Sequence, residues 1–293
     1  MIKLLDDEDP EVVNTVRDSL LQDSEKVIPI LEKLWFEDKL PNHSKLIENT
    51  IQDIQFECLK TDVKTVLHKD SFSPLNAWVL ASRLEYPNIS ESQIKVHLNE
   101  LKLQIWIKLA DVNNPIDQIQ ILNHVFFEVF GFKGNNDNYH HIDNSIVIRV
   151  LETKTGNPIS LSVLYLTLAN SLGIPLFGIN LPQHFVVGYG QIKKGLNQNH
   201  IWDYTNISQE NMESIIFYVN PFSKGQIFTK ESLLAFLKVI KINPNKEFME
   251  PCNSKDILMR MLRNISYAYE QQDKNLKAKQ ANELLALIAS FNN

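Results

Sequence analysis

Cysteine is scarce in this chain: the 293 residues contain only Cys58 and Cys252. The two are far apart and in no metal-type spacing, which excludes both a disulfide framework and a zinc site. Structural, at least half-buried thiols are expected, in a reducing, cytoplasmic setting. Long apolar runs are also missing. No stretch reaches the roughly 18 apolar residues that span a bilayer, so no membrane partner is expected. The opening, Met1 to Asp9, runs at once into acidic residues. Without an apolar segment or a small-residue cleavage site, it is not read as a signal peptide. An excess of basic charge is lacking too: 29 Lys and Arg stand against 35 Asp and Glu, a net charge of −6. Such a chain has no positive field to hold a phosphate backbone, which excludes nucleic acid as an expected partner. Lys193-Lys194 is a short basic pair that reads as a solvated hairpin tip.

What is present is a hydrophobic fraction of 44%, that of a globular protein with a large core. Residues 1 to about 130 read as successive helices. Asp9-Pro10, Ser73-Pro74 and Asn114-Pro115 each combine a polar cap with proline at the first helical position, where a missing N–H costs nothing. Ser90-Glu91-Ser92-Gln93 is a capping box. Apolar residues recur at helical spacing, as in Val12, Val13, Val16 and Leu20, or Ile94, Leu98, Leu101 and Ile105. The first pair of helices, roughly 9–22 and 24–38, resembles one HEAT-type hairpin, although a plain amphipathic subdomain accounts for it as well. Residues 119–130 are predicted to form a further helix ended by Gly131.

A polar loop follows, Gly134-Asn135-Asn136-Asp137-Asn138-Tyr139-His140-His141, leading through Asn144-Ser145. The adjacent histidines lack a carboxylate or cysteine at ligand spacing, and neighbouring side chains of an extended segment face opposite ways. No metal and no cofactor is expected. Beyond the loop, Asn157-Pro158 repeats the cap-plus-proline start, which makes Asn157 the N-cap and puts Ser160 in the first turn. There it meets unpaired N–H groups and the positive end of the helix dipole. The segment that follows is apolar on nearly every side, the mark of a helix covered all round, and stops at Gly173 with Pro175 just beyond. Leu176–Asn180, His184–Gly190, His200–Tyr204 and Ser214–Val219 read as strands, and 229–241 as a helix capped by Thr229. Short connections between the strands favour an antiparallel sheet packed on the central helix, hence an α+β fold. The tail from about 254 carries two amphipathic stripes joined by a turn at Gln271–Asn275.

The run Gly156-Asn157-Pro158-Ile159-Ser160-Leu161-Ser162-Val163-Leu164-Tyr165, followed by Gly173-Ile174-Pro175 and Leu181-Pro182-Gln183-His184-Phe185, resembles the transglutaminase-like superfamily. More narrowly it resembles a SirB-type branch of bacterial proteins, whose core is related to a region of an animal F-box protein. Leu122-Asn123, Gly131-Phe132-Lys133-Gly134-Asn135, Tyr139 and Asn144-Ser145 belong to the same likeness. So do Val219-Asn220-Pro221-Phe222-Ser223-Lys224-Gly225 and the stretch Ile257–Asn264.

The resemblance implies a papain-like core over 113–245, preceded by a helical region over 1–112 and followed by a tetratricopeptide-like hairpin over 254–293. It also implies a Cys-His-Asp triad, for which this chain offers Ser160, His184 and Asn220. Serine in place of cysteine removes the readily ionised nucleophile. Asparagine in place of aspartate can orient an imidazole but cannot neutralise an imidazolium. Asp203 is a less favoured third member. The expected role is therefore non-catalytic: recognition of a protein or peptide segment through a groove around the three triad positions, with Asn135, Tyr139, Asn144, Ser145 and Gln183 as binding residues. A serine-type hydrolase or acyltransferase using Ser160, His184 and Asn220 is the alternative.

Overall fold

The computed structural model describes residues 4, 7, 9–37, 43–69, 72–192, 212–239, 241–242 and 246–291. The expected hairpin tip at 193–199, the strand at 200–204 and Asp203 lie outside them. The chain divides into two compact units, Met1–His68 and Lys69–Asn293.

The first unit is helical: α1 (Pro10–Gln22), α2 (Ser24–Phe36) and α3 (Ser44–Leu67). Asp9 caps α1, its carboxylate accepting from Glu11 N–H at 2.8 Å, with Pro10 in the position that needs no donor. Val16, Leu20, Leu31, Ile47, Ile51 and Ile54 form its core, so each helix turns its apolar stripe toward the other two.

The second unit opens with four helical segments: α4 (Pro74–Ser82), α5 (Glu91–Leu109), α6 (Pro115–Asn123) and the short α7 (Val147–Thr153). Ser73, Ser90 and Asn114 all cap as their sequence contexts predict, and Gln93 completes the capping box on α5. The helix expected over 119–130 is not uniform. After Asn123 it widens into a π-helical turn, His124–Val129. The wider turn lets Phe126 stack on Phe132 at 4.5 Å while meeting Tyr165 edge-on at 5.4 Å.

Two short strands, β1 (Lys133–Gly134) and β2 (Thr155–Gly156), pair in parallel and lead into the central helix, α8 (Pro158–Ser171). From Pro158 to Leu166 every residue of α8 is buried. At about 1.5–3 kcal/mol for each fully buried Val, Leu or Ile, this helix is a principal apolar anchor of the unit. It ends with Leu172 as cap and Gly173 at φ +85°, where Ile174 N–H returns to Ala169 O at 2.9 Å.

The sheet is an antiparallel meander in the order β3 (Leu176–Ile179), β4 (Val186–Ile192), β5 (Met212–Asn220), β6 (Gln226–Phe228). All four residues of β3 and the first five of β4 are buried, as strands packed under α8 must be. Three helices complete the unit: α9 (Lys230–Val239), α10 (Ser254–Glu270) and α11 (Asn275–Ser290). The last two form an antiparallel hairpin whose inner stripe includes Ile257, Met261, Ile265, Ala281, Leu284 and Ile288, and α10 packs on both α4 and α8. The fold is α+β.

Candidate functional site

Ser160 and Asn157 lock the start of α8 together. Asn157 Oδ1 accepts from Ser160 N–H at 3.0 Å, and Ser160 Oγ accepts from Asn157 N–H at 3.0 Å. The same hydroxyl donates to Asn157 O at 3.1 Å. This is a reciprocal capping box in which the hydroxyl is both donor and acceptor. Ser160 is 0% exposed, and a Cβ on Gly156 would fall 2.5 Å from its Oγ, so the backbone closes over it. Ser162 is equally buried, its hydroxyl 3.4 Å from Phe185 O.

The loop that precedes this helix is tied to the same cap. Asn157 Nδ2 donates to Ser145 Oγ at 2.8 Å, and Ser145 O accepts from Trp78 Nε1 at 2.7 Å. Asn144 Nδ2 reaches Asn138 O at 2.7 Å and Tyr139 O at 3.1 Å, while its Oδ1 accepts from Asn135 Nδ2 at 3.0 Å. Asn135 N–H donates to Gly156 O at 3.0 Å. Asn135, Asn144 and Ser145, expected as binding residues, thus direct these polar atoms inward and hold the loop to the helix start. Tyr139 differs: it is 37% exposed, lies edge-on to Phe222 at 5.8 Å, and touches His140, which in turn meets Tyr267 at 4.8 Å. Phe222, Tyr139, His140 and Tyr267 form one row of rings. His141 caps the next turn, its Nδ1 accepting from Asp143 N–H at 3.3 Å.

Asn220 ends β5 and caps its own turn. Its Oδ1 accepts from Phe222 N–H at 3.1 Å and Ser223 N–H at 3.3 Å, and its Nδ2 donates to Ser223 Oγ at 3.2 Å. The turn is moored to α8 through Asn123, whose Nδ2 donates to Gly225 O at 2.9 Å while its Oδ1 accepts from the buried Tyr165 hydroxyl at 2.7 Å. Gly225 sits at φ +69°, and a Cβ there would lie 1.8 Å from Asn123 Oδ1, so only glycine fits.

His184 was expected to open a strand; it lies instead in the turn before β4. Its N–H donates to Leu181 O at 3.2 Å, and exposed Gln183 takes φ +62° behind Pro182. This is the turn class that pairs proline with a left-handed residue. The imidazole stands edge-on to Phe236 at 4.8 Å and makes no hydrogen bond among the described residues. Burial, then the charge of Arg260, holds its pKa below the ordinary imidazole value. Arg260, on α10, donates from one guanidinium nitrogen to Asn180 Oδ1 at 3.4 Å and Leu181 O at 3.3 Å. Arg260, Phe222, Phe236 and Tyr267 were missed as site residues in the sequence. The available signal was Arg260 three positions after Ile257, on the edge of the buried stripe of α10.

Among the described residues, no hydrogen bond joins Ser160, His184 and Asn220 to one another, and no group of three or more His, Cys, Asp or Glu is placed to hold a metal ion. Residues 92–263 match the profile of the transglutaminase-like superfamily. The chain belongs to this superfamily. It is 26% identical to a UPF0162 protein of Xylella fastidiosa over 232 residues, 72% of this chain and 70% of that one. It is 32% identical to the F-box only protein 21 of Mus musculus over 148 residues, covering 50% of this chain and 21% of that one. A UPF0162 protein of Vibrio cholerae matches at 26% over 165 residues, 55% of this chain and 53% of the other. No solved structure matches the chain significantly.

The superfamily match runs from α5 into α10 and so includes Arg260 as well as Ser160, His184 and Asn220. Chemically, the arrangement departs from nucleophilic catalysis at each of the latter three. The hydroxyl of Ser160 is closed off inside a cap. The amide of Asn220 is engaged by its own turn. The charge facing His184 is a cation, which disfavours the imidazolium that a general base must form.

Proposed function

We propose that this protein is a non-catalytic member of the transglutaminase-like superfamily, of the SirB-type branch, that recognises a protein or peptide segment on the face around His184, Gln183, Tyr139 and Phe222. The observation that carries this reading is the buried capping box of Ser160: a fully buried hydroxyl that accepts from Asn157 N–H and has its proton committed to Asn157 O offers no proton to a base and has no access to an acyl group. The division into a helical region over 1–112, a core over 113–245 and a tetratricopeptide-like hairpin over 254–293 belongs to the same proposal, as does a cytoplasmic setting. Among the described residues no helix is long and apolar enough to cross a membrane.

A fluorophosphonate probe tests it. The full chain is expected to show no labelling of Ser160 at neutral pH. Labelling that disappears in Ser160→Ala would overturn the proposal in favour of a serine-type hydrolase or acyltransferase. Ser160→Cys adds a second readout, because a thiol at a helix start that faced a working base would be acidified and react with iodoacetamide well below pH 8.5. Slow alkylation of that variant is expected.

A further inference from the structure

Arg260 is set into the fold, and among the described residues no carboxylate pairs with it. Arg17 pairs with Asp53, and Arg149, although more exposed, pairs with both Asp143 and Glu152. The two acceptors of Arg260 are neutral, both bonds are long, and both leave from a single nitrogen, so most of the guanidinium fork is unused. Burial works against its charge, and Arg263, one turn on, adds a second cation rather than relieving the first. A half-buried guanidinium that lacks a counter-ion is destabilising until an anion arrives, and its planar fork matches a carboxylate. Around it lie Tyr139 and His184, both within reach of its charge. From Tyr139 the row of rings extends to Phe222 on one side and to His140 and Tyr267 on the other. Three successive ring contacts are more apolar surface than a small organic acid can cover.

We propose that Arg260 is a carboxylate-recognition residue, and that its occupant is a peptide segment presenting an Asp or Glu side chain beside an aromatic residue that stacks on the Phe222–Tyr139–His140–Tyr267 row. This rests on the binding role assigned above and names the chemistry of the partner. The bound carboxylate accepts from the free edge of the guanidinium, and the neighbouring aromatic residue shields that pair from water, which strengthens it.

The test follows the arginine Nε–H resonances of the full chain by NMR during titration with acetyl-Ala-Phe-Glu-Ala-amide, its Gln isostere, sodium acetate and inorganic phosphate. The Glu peptide is expected to shift the Arg260 signal and to bind about tenfold more tightly than the Gln peptide, the scale of one charge-assisted pair. Arg260→Gln should remove that preference, and Arg260→Lys should restore only part of it. If Arg260→Gln does not fold, the Glu and Gln titrations of the unmodified chain decide the matter. Equal affinity for the two peptides, or an unmoved Arg260 signal, overturns the proposal. So does acetate binding as tightly as the Glu peptide, or phosphate binding more tightly. The outcome is separable from the labelling experiment. A labelled Ser160 with a retained Glu preference would sink the non-catalytic reading and leave carboxylate recognition standing as substrate selection. An unlabelled Ser160 with no Glu preference would do the reverse.

Discussion

At His184 two influences act in the same direction: partial burial removes water from the imidazole, and the guanidinium of Arg260 repels a proton. A catalytic histidine of the triad type needs the opposite, a neighbour that welcomes the imidazolium. The consequence for stability has a definite sign. In the unfolded chain His184 has its ordinary value near 6.5, while in the folded chain the value is lower. As pH falls through 6.5 the unfolded state takes up a proton that the folded state refuses, so stability declines. The decline ends once pH drops below the folded-state value. Removing Arg260 leaves burial as the remaining influence. Following the His184 Cε1–H resonance against pH should therefore give a midpoint below 6.5 in the full chain. In Arg260→Gln the midpoint should move partway back toward 6.5. A midpoint that stays put in the variant would show that Arg260 does not govern the electrostatics of this residue.

The 221–225 turn is held by its geometry as an element. The Asn220 amide shapes it, the left-handed Gly225 closes it, and Asn123 clamps it to α8 through Tyr165. Because Asn123 is held from both ends, it cannot retreat from a methyl group placed at Gly225. Gly225→Ala should cost about 1–3 kcal/mol from the backbone alone, with further loss as Asn123 is displaced. Tyr165→Phe, which leaves Asn123 Oδ1 without its donor, should cost about 1–3 kcal/mol. In urea unfolding the double variant should lose less than the two losses added together, since both break one network. Additive losses would mean that the turn and the helix are not coupled through Asn123. Elements of this kind show where a sequence is legible. Asn157-Pro158-Ile159-Ser160 declares a helix start, because a cap acts over three residues. Ser73, Ser90, Asn114 and Gly173 are readable for the same reason. The apolar run of α8 declares its burial. The π-helical turn at His124–Val129 is not legible, because no local pattern marks it and the ring it packs against, Tyr165, is some forty residues away. Nor is the company of His184, since Phe236 and Arg260 come from α9 and α10 and no local pattern announces them.

For the molecule as a whole, the second unit is closed by contacts between its two ends in sequence. Glu85, just past α4, accepts from Lys277 Nζ at 2.6 Å and from the Tyr269 hydroxyl at 2.7 Å, and Lys277 also reaches Leu84 O at 3.0 Å. Nearly all of α4 is buried, and the α10–α11 hairpin is its cover. The same hairpin carries Arg260 to His184, so the clamp at Glu85 also fixes where that cation stands. Burial tends to raise the Glu85 pKa, but the hydrogen bonds from Lys277 and Tyr269 and the charge of Lys277 outweigh it, and the net shift is downward. A carboxyl lowered in this way stabilises the fold above its ordinary value of 4.5, and that contribution is lost as pH falls through 4.5 toward the folded-state value. Glu85→Gln keeps the shape and removes the charge. Its deficit relative to the unmodified chain should be about 1–3 kcal/mol at pH 7. The deficit should shrink steadily in urea unfolding repeated below pH 4.5, where the unfolded chain takes up a proton at Glu85 that the folded chain, with its lower value, still refuses. A deficit that stays constant from pH 7 to pH 4 would show that Glu85 acts by packing alone, and that charge does not bind the hairpin to α4.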